Sequence, residues 1–139
     1  MVETPQFFPN FSGRRNLELL ARLEGIGRDR VDDALELLGL GPQARSPFRT
    51  YSLGMKQRLG LAAALVKDPE VLILDEPANG LDPAGIKEIR DLVRRLGSEG
   101  RRVFVSSHLL GEVHQMCDRV AILARGRLVT EGAVSDVLV

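Results

Sequence analysis

Residues 71–107 contain two short apolar runs on either side of one amphipathic stretch, and this pattern limits the possible folds more than any other part of the sequence. The run VLIL at residues 71–74 is unbroken, as expected for a strand buried on both faces of a parallel sheet. Asp82 and Pro83 predict a helix start, with aspartate as the N-cap and proline in the first helical position. The second run, RRVFVSS, occupies residues 101–107. Strand, helix and strand in this order form a βαβ unit, which predicts an α/β fold with a parallel sheet core.

A helical section is predicted before this unit. Ser12 is a candidate N-cap for a first helix, a second helix covers residues 29–38, and a third extends from Ser52 to about Lys67. The apolar side chains of the first two helices recur at helical spacing and predict one buried face on each: Leu17, Leu20 and Leu23 in the first, and Val31, Ala34, Leu35 and Leu38 in the second.

The segment after the βαβ unit predicts a short helix from Leu109 and then a pair of strands. The runs DRVAIL and GRLVTEG flank a turn at Arg125-Gly126, and the last residues resemble the start of a helix. We therefore divide residues 1–139, one partial domain, into a helical part at 12–67 and a strand-containing part at 68–139.

Composition excludes several classes of protein. Lysine plus arginine and aspartate plus glutamate both total 19, so the balanced charge favours no nucleic-acid partner. The single cysteine, Cys117, excludes an internal disulfide framework. No apolar run approaches the roughly 20 residues of a membrane span, so we expect any link to a membrane to pass through a partner.

Two carboxylates, Asp75 and Glu76, follow the first strand directly. Ligands of open parallel sheets bind at the carboxyl ends of the strands, where an aspartate is suited to hold magnesium near nucleotide phosphates. The adjacent glutamate is suited to position or deprotonate an attacking water. His108 follows the second strand and should reach the same edge, where an imidazole can hydrogen-bond a terminal phosphate.

Each of these features also has an ordinary structural interpretation. Apolar strands commonly end in acids because strand ends are solvated, and a lone histidine is more often structural. Ser52 and Gly54 lie at a predicted helix N-terminus, which is either an anion site or simply a serine-capped helix. The conjunction of Asp-Glu-Pro, Asp82 and His108 in this order favours the nucleotide site.

These motifs together resemble the ATP-binding subunit of ABC transporters. YSLGM is similar to the LSGGQ signature, VLILDE to the Walker B strand, NGLD to the D-loop, and SSH to the switch-histidine motif. DRVAILARGRLVTEG is similar to the strand pair that closes the domain. The signature departs from the family pattern at three positions: Tyr51, Leu53 and Met55. The resemblance covers essentially the whole chain and implies the P-loop NTPase fold.

The resemblance also implies a role for each matching residue. Asp75 is the acid on the magnesium side, while Glu76 is the catalytic base and His108 the switch histidine, so the implied cofactors are ATP and Mg²⁺. The remaining implied nucleotide-binding residues are Ser52 and Gly54 of the signature, Asp82 of the D-loop, and Glu3 in place of the early glutamine.

The amino-acid sequence, including the stretches VETPQFFPNFSGRRNL and SLGMKQRL, is most similar to the drug- and bacteriocin-export branch of the family. Members of that branch work with separate transmembrane subunits, which implies a cytoplasmic chain bound peripherally to the inner face of the cell membrane. The family also implies a second ATP-binding subunit in a head-to-tail pair, in which each ATP lies between the phosphate loop of one subunit and the signature of the other.

One family motif has no counterpart in this sequence. The phosphate loop G-x-x-x-x-G-K-[ST] requires a Gly-Lys dipeptide, which does not occur here. We therefore expect a truncated domain that binds ATP very weakly and is inactive alone. Two alternatives stay open: a non-catalytic dimerisation or regulatory half that supplies its signature in trans, and an ABC ATPase without a transport role.

The same interpretation has a consequence for packing. If neighbouring strands of the core are missing, the apolar faces of the strand at residues 71–74 and of the helix at residues 83–97 should be left uncovered. Uncovered faces of that kind favour association, so we expect an oligomer, a rearranged fold or marginal stability.

Overall fold

The computed structural model describes residues 6–138, which form six α-helices, one 3₁₀ turn and two strand pairs. Glu3, a candidate site residue, lies outside the described residues. The helices are α1 (Gly13–Leu23), α2 (Arg28–Leu37), α3 (Leu53–Leu65), α4 (Pro83–Ser98), α5 (Leu110–Met116) and α6 (Val134–Val137). The strands are β1 (Val71–Asp75), β2 (Arg102–Ser106), β3 (Arg119–Ala124) and β4 (Arg127–Ala133), and the 3₁₀ turn covers Phe48–Thr50.

The predicted βαβ unit is confirmed. Strands β1 and β2 pair in parallel, with Val71 opposite Arg102 and Asp75 opposite Ser106. Helix α4 connects them and begins as predicted, since the Asp82 side chain accepts a hydrogen bond from the Gly85 backbone N–H at 2.8 Å, with proline in the first turn.

The expectation that the strand at residues 71–74 keeps an uncovered apolar face is confirmed, and the prediction from its unbroken apolar run, that β1 is buried on both faces, is wrong. Leu72 and Leu74 are buried, but Ile73 on the opposite face is 48% exposed and its neighbour on β2, Phe104, is 63% exposed. Successive side chains of a strand alternate between faces, and within residues 6–138 only one face of this strand pair is covered. Val71 lies on the same uncovered side. We call these three side chains, Val71, Ile73 and Phe104, the open face.

Helix α4 was also expected to expose an apolar face, and this expectation is wrong. Ile89, Val93 and Leu96 are all buried. They belong to a hydrophobic core that continues from the strand pair into the three N-terminal helices. On this side of the parallel pair Leu72 and Leu74 are buried and Val103 and Val105 are half-buried, whereas the other side stays open.

The helical section forms as predicted, with one exception. Ser12 caps α1 by accepting a hydrogen bond from the Arg15 N–H at 3.1 Å, and Leu17 is fully buried. Leu23, however, is 84% exposed. It is the last residue of α1, and Gly25 then turns the chain with φ 69°, so the buried face of the helix ends at Ala21.

The C-terminal strand pair is antiparallel, and its turn is the predicted one. Arg125 and Gly126 both have positive φ, 51° and 74°. Two successive positive φ values are the mark of the tight hairpin turn whose twist suits a strand pair. Helix α6 then packs against both strands.

No helix in the described part of the chain combines the length and apolar character that crossing a membrane requires.

Candidate active site

The ends of β1 and β2 bring the predicted acid, base and histidine to one edge of the parallel pair. Asp75 is the last residue of β1 and Glu76 follows it, while Ser106 ends β2 and His108 lies two residues later. Parallel strands end at the same edge of a sheet. Because Asp75 pairs with Ser106, the two strands end at the same level. Their last residues and the residues just after them, Asp75, Glu76, Ser106 and His108, therefore lie at this one edge.

His108 is hydrogen-bonded to the carboxylate of Glu76. Its Nδ1 atom lies 3.1 Å from Oε1 and 3.2 Å from Oε2 of that side chain. The carboxylate is about one-third exposed and the imidazole about two-thirds. The pair therefore faces solvent and is accessible to a water molecule or a ligand. It matches the arrangement of a base held by a histidine.

Glu76 has an unusual backbone. Its φ is 47°, in the left-handed region that residues with a side chain rarely adopt. Its N–H donates to Ser106 Oγ at 2.9 Å and to the Ser106 carbonyl at 3.2 Å. This turn is what directs the chain away from the strand immediately after Asp75.

Asp75 accepts a hydrogen bond from the Ser106 hydroxyl, with 2.5 Å between Oδ1 and Oγ. No cluster of three or more histidine, cysteine, aspartate or glutamate side chains suited to a metal occurs among residues 6–138. A single carboxylate oxygen fits magnesium that takes most of its ligands from nucleotide phosphates and water, which is the usual way this ion is bound. The donor set therefore fits Mg²⁺ brought with a nucleotide and does not form an all-protein cage.

Ser52 is the N-cap of α3. Its hydroxyl oxygen accepts a hydrogen bond from the Met55 N–H at 3.2 Å, and the side chain is exposed. The prediction that Ser52 caps a helix is therefore confirmed. Because the hydroxyl hydrogen is not used in that bond, the same serine can also donate to an anion in front of the helix N-terminus.

The start of α3 packs on the turn that follows β1. A Cβ atom on Gly54 would lie 3.8 Å from Leu81, and a Cβ atom on Gly80 would lie only 3.1 Å from Leu53. Asp82 comes directly after this turn, with its carboxylate engaged in capping α4. The predicted signature and D-loop residues are thus adjacent in space, in two segments separated by the first strand.

Arg58 holds α3 in this position, and sequence reasoning did not identify it. Its Nη1 atom lies 3.4 Å from the Leu38 carbonyl and 3.7 Å from Oε2 of Glu88. Its Nε atom donates to the Gly54 carbonyl at 3.4 Å. One guanidinium thereby links α3 to the end of α2 and to α4. The i, i+4 spacing to Gly54 was readable from the sequence, but the other two partners were not.

Tyr51 replaces the leucine usual in the signature, and the structure explains the replacement. The ring is buried, and its hydroxyl donates to the Gln43 carbonyl at 2.6 Å. Burial raises the pKa of this phenol, against a smaller lowering contribution from the Gly13 backbone. The side chain lies directly over Gly13, where a Cβ atom would collide with the hydroxyl oxygen at 2.2 Å. Tyr51 therefore joins α1 to the segment before α3.

Comparison with known proteins connects this geometry to a family. The sequence profile of a family described as "AAA domain, putative AbiEii toxin, Type IV TA system" matches residues 4–113. The chain is 51% identical over 138 residues to the uncharacterized ABC transporter ATP-binding protein YhcH of Bacillus subtilis. It is 49% identical over 138 residues to the bacitracin transport ATP-binding protein BcrA of Enterococcus faecalis. Each alignment covers 98% of this chain and 45% of the relative.

A solved structure gives the same result for the fold. CbiO1 from Clostridium perfringens, described as part of the ABC transporter complex cbiONQ, superposes with a TM-score of 0.87 at 33% identity. The superposition covers 96% of this chain and 55% of that chain. The chain therefore spans about half the length of the relatives that it matches. Because the profile covers most of the chain and the curated relatives share one description, the chain belongs to the AAA-domain family and is related to the ATP-binding proteins of ABC transporters.

Proposed function

We propose that the chain supplies the signature, Walker B, D-loop and switch-histidine part of an ATPase that powers export across a membrane. A relative named for bacitracin transport supports an export role. In this proposal the chain works in the cytoplasm, bound peripherally to the inner face of the cell membrane by transmembrane subunits. The division at residues 67 and 68 then separates the signature-bearing helices from the strands that carry the acids.

The observation that carries the proposal is the contact between Glu76 and His108. The histidine Nδ1 lies 3.1 Å from the carboxylate, at the strand edge where Asp75 also ends. Glu76 is suited to accept a proton from an attacking water, and His108 orients that carboxylate and can donate to charge developing on the transferred phosphate. Asp75 lies on the magnesium side, and bound Mg²⁺ would neutralise charge on the nucleotide phosphates.

The signature residues would serve a different ATP. Ser52 and Gly54 lie at an exposed helix N-terminus, next to the turn that leads to Asp82. In a head-to-tail pair this surface would contact a nucleotide held by the phosphate loop of a second ATP-binding subunit. This arrangement also suits the second candidate function, a non-catalytic half that lends its signature to a partner, and the exposure of Ser52 favours it.

Nucleotide binding by the chain alone should be weak. The sequence contains no G-x-x-x-x-G-K-[ST] motif, and that loop supplies backbone N–H groups and a lysine to the β- and γ-phosphates. Isothermal titration with Mg-ATP should therefore show no saturation in the micromolar range. A micromolar dissociation constant would show that other groups hold the phosphates.

The base assignment can be tested by restoring the phosphate loop. A chimera joins the phosphate-loop half of a closely related ATP-binding protein to this chain, and its ATPase rate is measured. Glu76→Gln should lower kcat by about 100- to 1,000-fold, because the amide cannot accept the proton. The matched control is Glu70→Gln, the same exchange at an exposed glutamate just before β1. Equal rates for the two variants would refute the assignment.

The signature assignment needs a different measurement. Mixing the unmodified chain with an intact ATP-binding subunit should change the ATPase rate of that subunit. Ser52→Ala should remove the effect, whereas Ser98→Ala, at an exposed serine near the end of α4, should preserve it. An effect of the chain on the intact subunit, combined with an inactive chimera, would favour the non-catalytic half over the ATPase.

A further inference from the structure

We propose that Ser106 is a positioning residue that sets the geometry of both carboxylates at the strand edge through one hydroxyl group. This inference rests on the proposed function for its catalytic meaning, but the geometry that it describes can be tested without turnover. Ser106 touches no reacting atom in this scheme and acts through Asp75 and Glu76.

The Ser106 hydroxyl makes two hydrogen bonds in opposite directions. It donates to Asp75 Oδ1 at 2.5 Å and accepts from the Glu76 N–H at 2.9 Å. A serine hydroxyl has one hydrogen to donate and can accept through its lone pairs, so both bonds form at once. The parallel register, with Ser106 directly opposite Asp75, places the oxygen between the last residue of β1 and Glu76, which follows it.

The bond to the Glu76 N–H supports an unfavourable backbone. A φ of 47° is rarely adopted by residues with a side chain and persists where the surroundings fix it. The hydroxyl is the closer of the two acceptors offered to this N–H, since the Ser106 carbonyl lies at 3.2 Å. Because the left-handed turn directs the Glu76 side chain, the same bond helps to place its carboxylate against His108.

The bond to Asp75 fixes the other carboxylate. With Oδ1 engaged by the hydroxyl, Oδ2 is the oxygen available to a cation or to a water on that cation. Groups that hydrogen-bond a metal-binding carboxylate fix its orientation, and their loss commonly weakens metal binding by about 10- to 100-fold. Ser106 would therefore tune the magnesium side and the base side of the site together.

A matched pair of substitutions isolates the hydroxyl. Ser106→Thr keeps it, whereas Ser106→Val replaces it with a methyl group of similar size, and both side chains are branched and suited to a strand. Ser106 is exposed, so neither change disturbs the core. Ser106→Ala stands in for the valine variant if that protein does not fold.

Amide hydrogen exchange of the full chain, followed residue by residue by NMR, measures how strongly the Glu76 N–H is protected by its hydrogen bond to Ser106. We expect exchange of the Glu76 amide to become about 5- to 10-fold faster in Ser106→Val and to change less than about 2-fold in Ser106→Thr. The ring nitrogen signals of His108 should shift in the valine variant alone. Unchanged exchange in Ser106→Val, or equal acceleration in both variants, would overturn the proposal.

Manganese, added as a paramagnetic substitute for magnesium, measures how the hydrogen bond from Ser106 affects metal binding at Asp75. Line broadening around Asp75 should require about 10-fold more Mn²⁺ in Ser106→Val than in the unmodified chain. Ser106→Thr, which keeps the hydroxyl, should require about the same amount as the unmodified chain. Equal manganese requirements in all three proteins would overturn the Asp75 half of the proposal. Absence of broadening around Asp75 in the unmodified chain would overturn the Asp75 half of the proposal but not the proposed function, in which Mg²⁺ arrives with the nucleotide, and the exchange data would still decide whether Ser106 fixes Glu76.

Discussion

Leu53 covers Gly80: its Cδ2 atom lies 3.1 Å from the position that a Cβ atom on Gly80 would take. Gly80 itself has a φ of 77°. The family signature that this chain resembles has a glycine where Leu53 stands, so the contact belongs to this variant of the motif. It joins the N-terminus of α3 to the turn between β1 and α4.

Gly80→Ala should destabilise the chain by about 1–2 kcal/mol, because a side chain there meets both a left-handed backbone and Leu53. The control is Gly97→Ala, a helical glycine in α4 with nothing within 4 Å of an added Cβ atom. That change should stabilise by about 0.5–1 kcal/mol. Urea unfolding measures both. Similar free energies of unfolding for the two variants would show that Gly80 is not constrained.

Tyr51→Phe should destabilise the chain by about 1 kcal/mol, because the Gln43 carbonyl loses its partner in a buried position. The control is Thr50→Val, which removes a hydroxyl-to-carbonyl bond of 2.7 Å to Pro47 at an exposed site. Water can replace that bond, so its loss should cost clearly less. Thermal unfolding of the two variants side by side tests the difference, and an equal cost would contradict the buried role of Tyr51.

The open face should drive self-association. Ile73 and Phe104 are paired across the two strands and both are largely exposed, and contiguous apolar surface of this kind promotes contact between molecules. Phe104→Thr should shift the chain toward monomer in sedimentation velocity at several concentrations. Leu23→Gln, which removes an isolated exposed leucine, should leave the distribution unchanged. A monomeric unmodified chain across the concentration range would contradict this prediction.

Asp68 should make stability depend on acidic pH. A hydrogen bond from Arg101, together with the charges of Arg101 and Arg30, holds the pKa of the Asp68 carboxyl below its ordinary value of 3.8. A carboxyl whose pKa is lowered on folding stabilises the folded chain fully at pH values above its ordinary pKa. This contribution is lost as the pH falls through the lowered pKa of the folded state. The thermal midpoint should therefore fall less below about pH 4 in Asp68→Asn than in the unmodified chain.

Asparagine suits this test because it tolerates the φ of 51° at position 68. Asp33→Asn, at an exposed position of α2, is the control and should keep the full acid dependence. If both variants lose stability with acid as the unmodified chain does, the contact with Arg101 contributes nothing to the pH dependence.

The βαβ unit and the neighbourhood of Glu76 and His108 could be predicted from sequence because local chemistry determines them. Asp82-Pro83 starts a helix through capping and a fixed φ, and the short apolar runs on either side have the length and the β-branched content typical of strands. Parallel pairing then brings the strand ends together. The roles of Asp75, Glu76, His108, Ser52, Gly54 and Asp82 stay predictions, which the measurements above are designed to test.

Features that depend on what lies opposite a residue could not be predicted in this way. Ser106 appeared only as part of a motif, because its partners are on another strand and the register was unknown. The expectation of a fully buried β1 was wrong because an unbroken apolar run does not reveal which neighbours cover each face. Leu23 fitted the helical spacing but falls where the helix ends, and helix ends are the least certain feature of a sequence pattern.

The open face also bears on how the stability of this chain changes with temperature. The heat capacity increment of unfolding comes mainly from apolar surface that becomes hydrated, at about 12–15 cal/mol/K per residue for ordinary domains. Val71, Ile73 and Phe104 are already substantially hydrated in the folded monomer, so unfolding gains little there. The monomer should therefore have a slightly smaller heat capacity increment, and a slightly flatter stability curve, than the same chain with its open face covered.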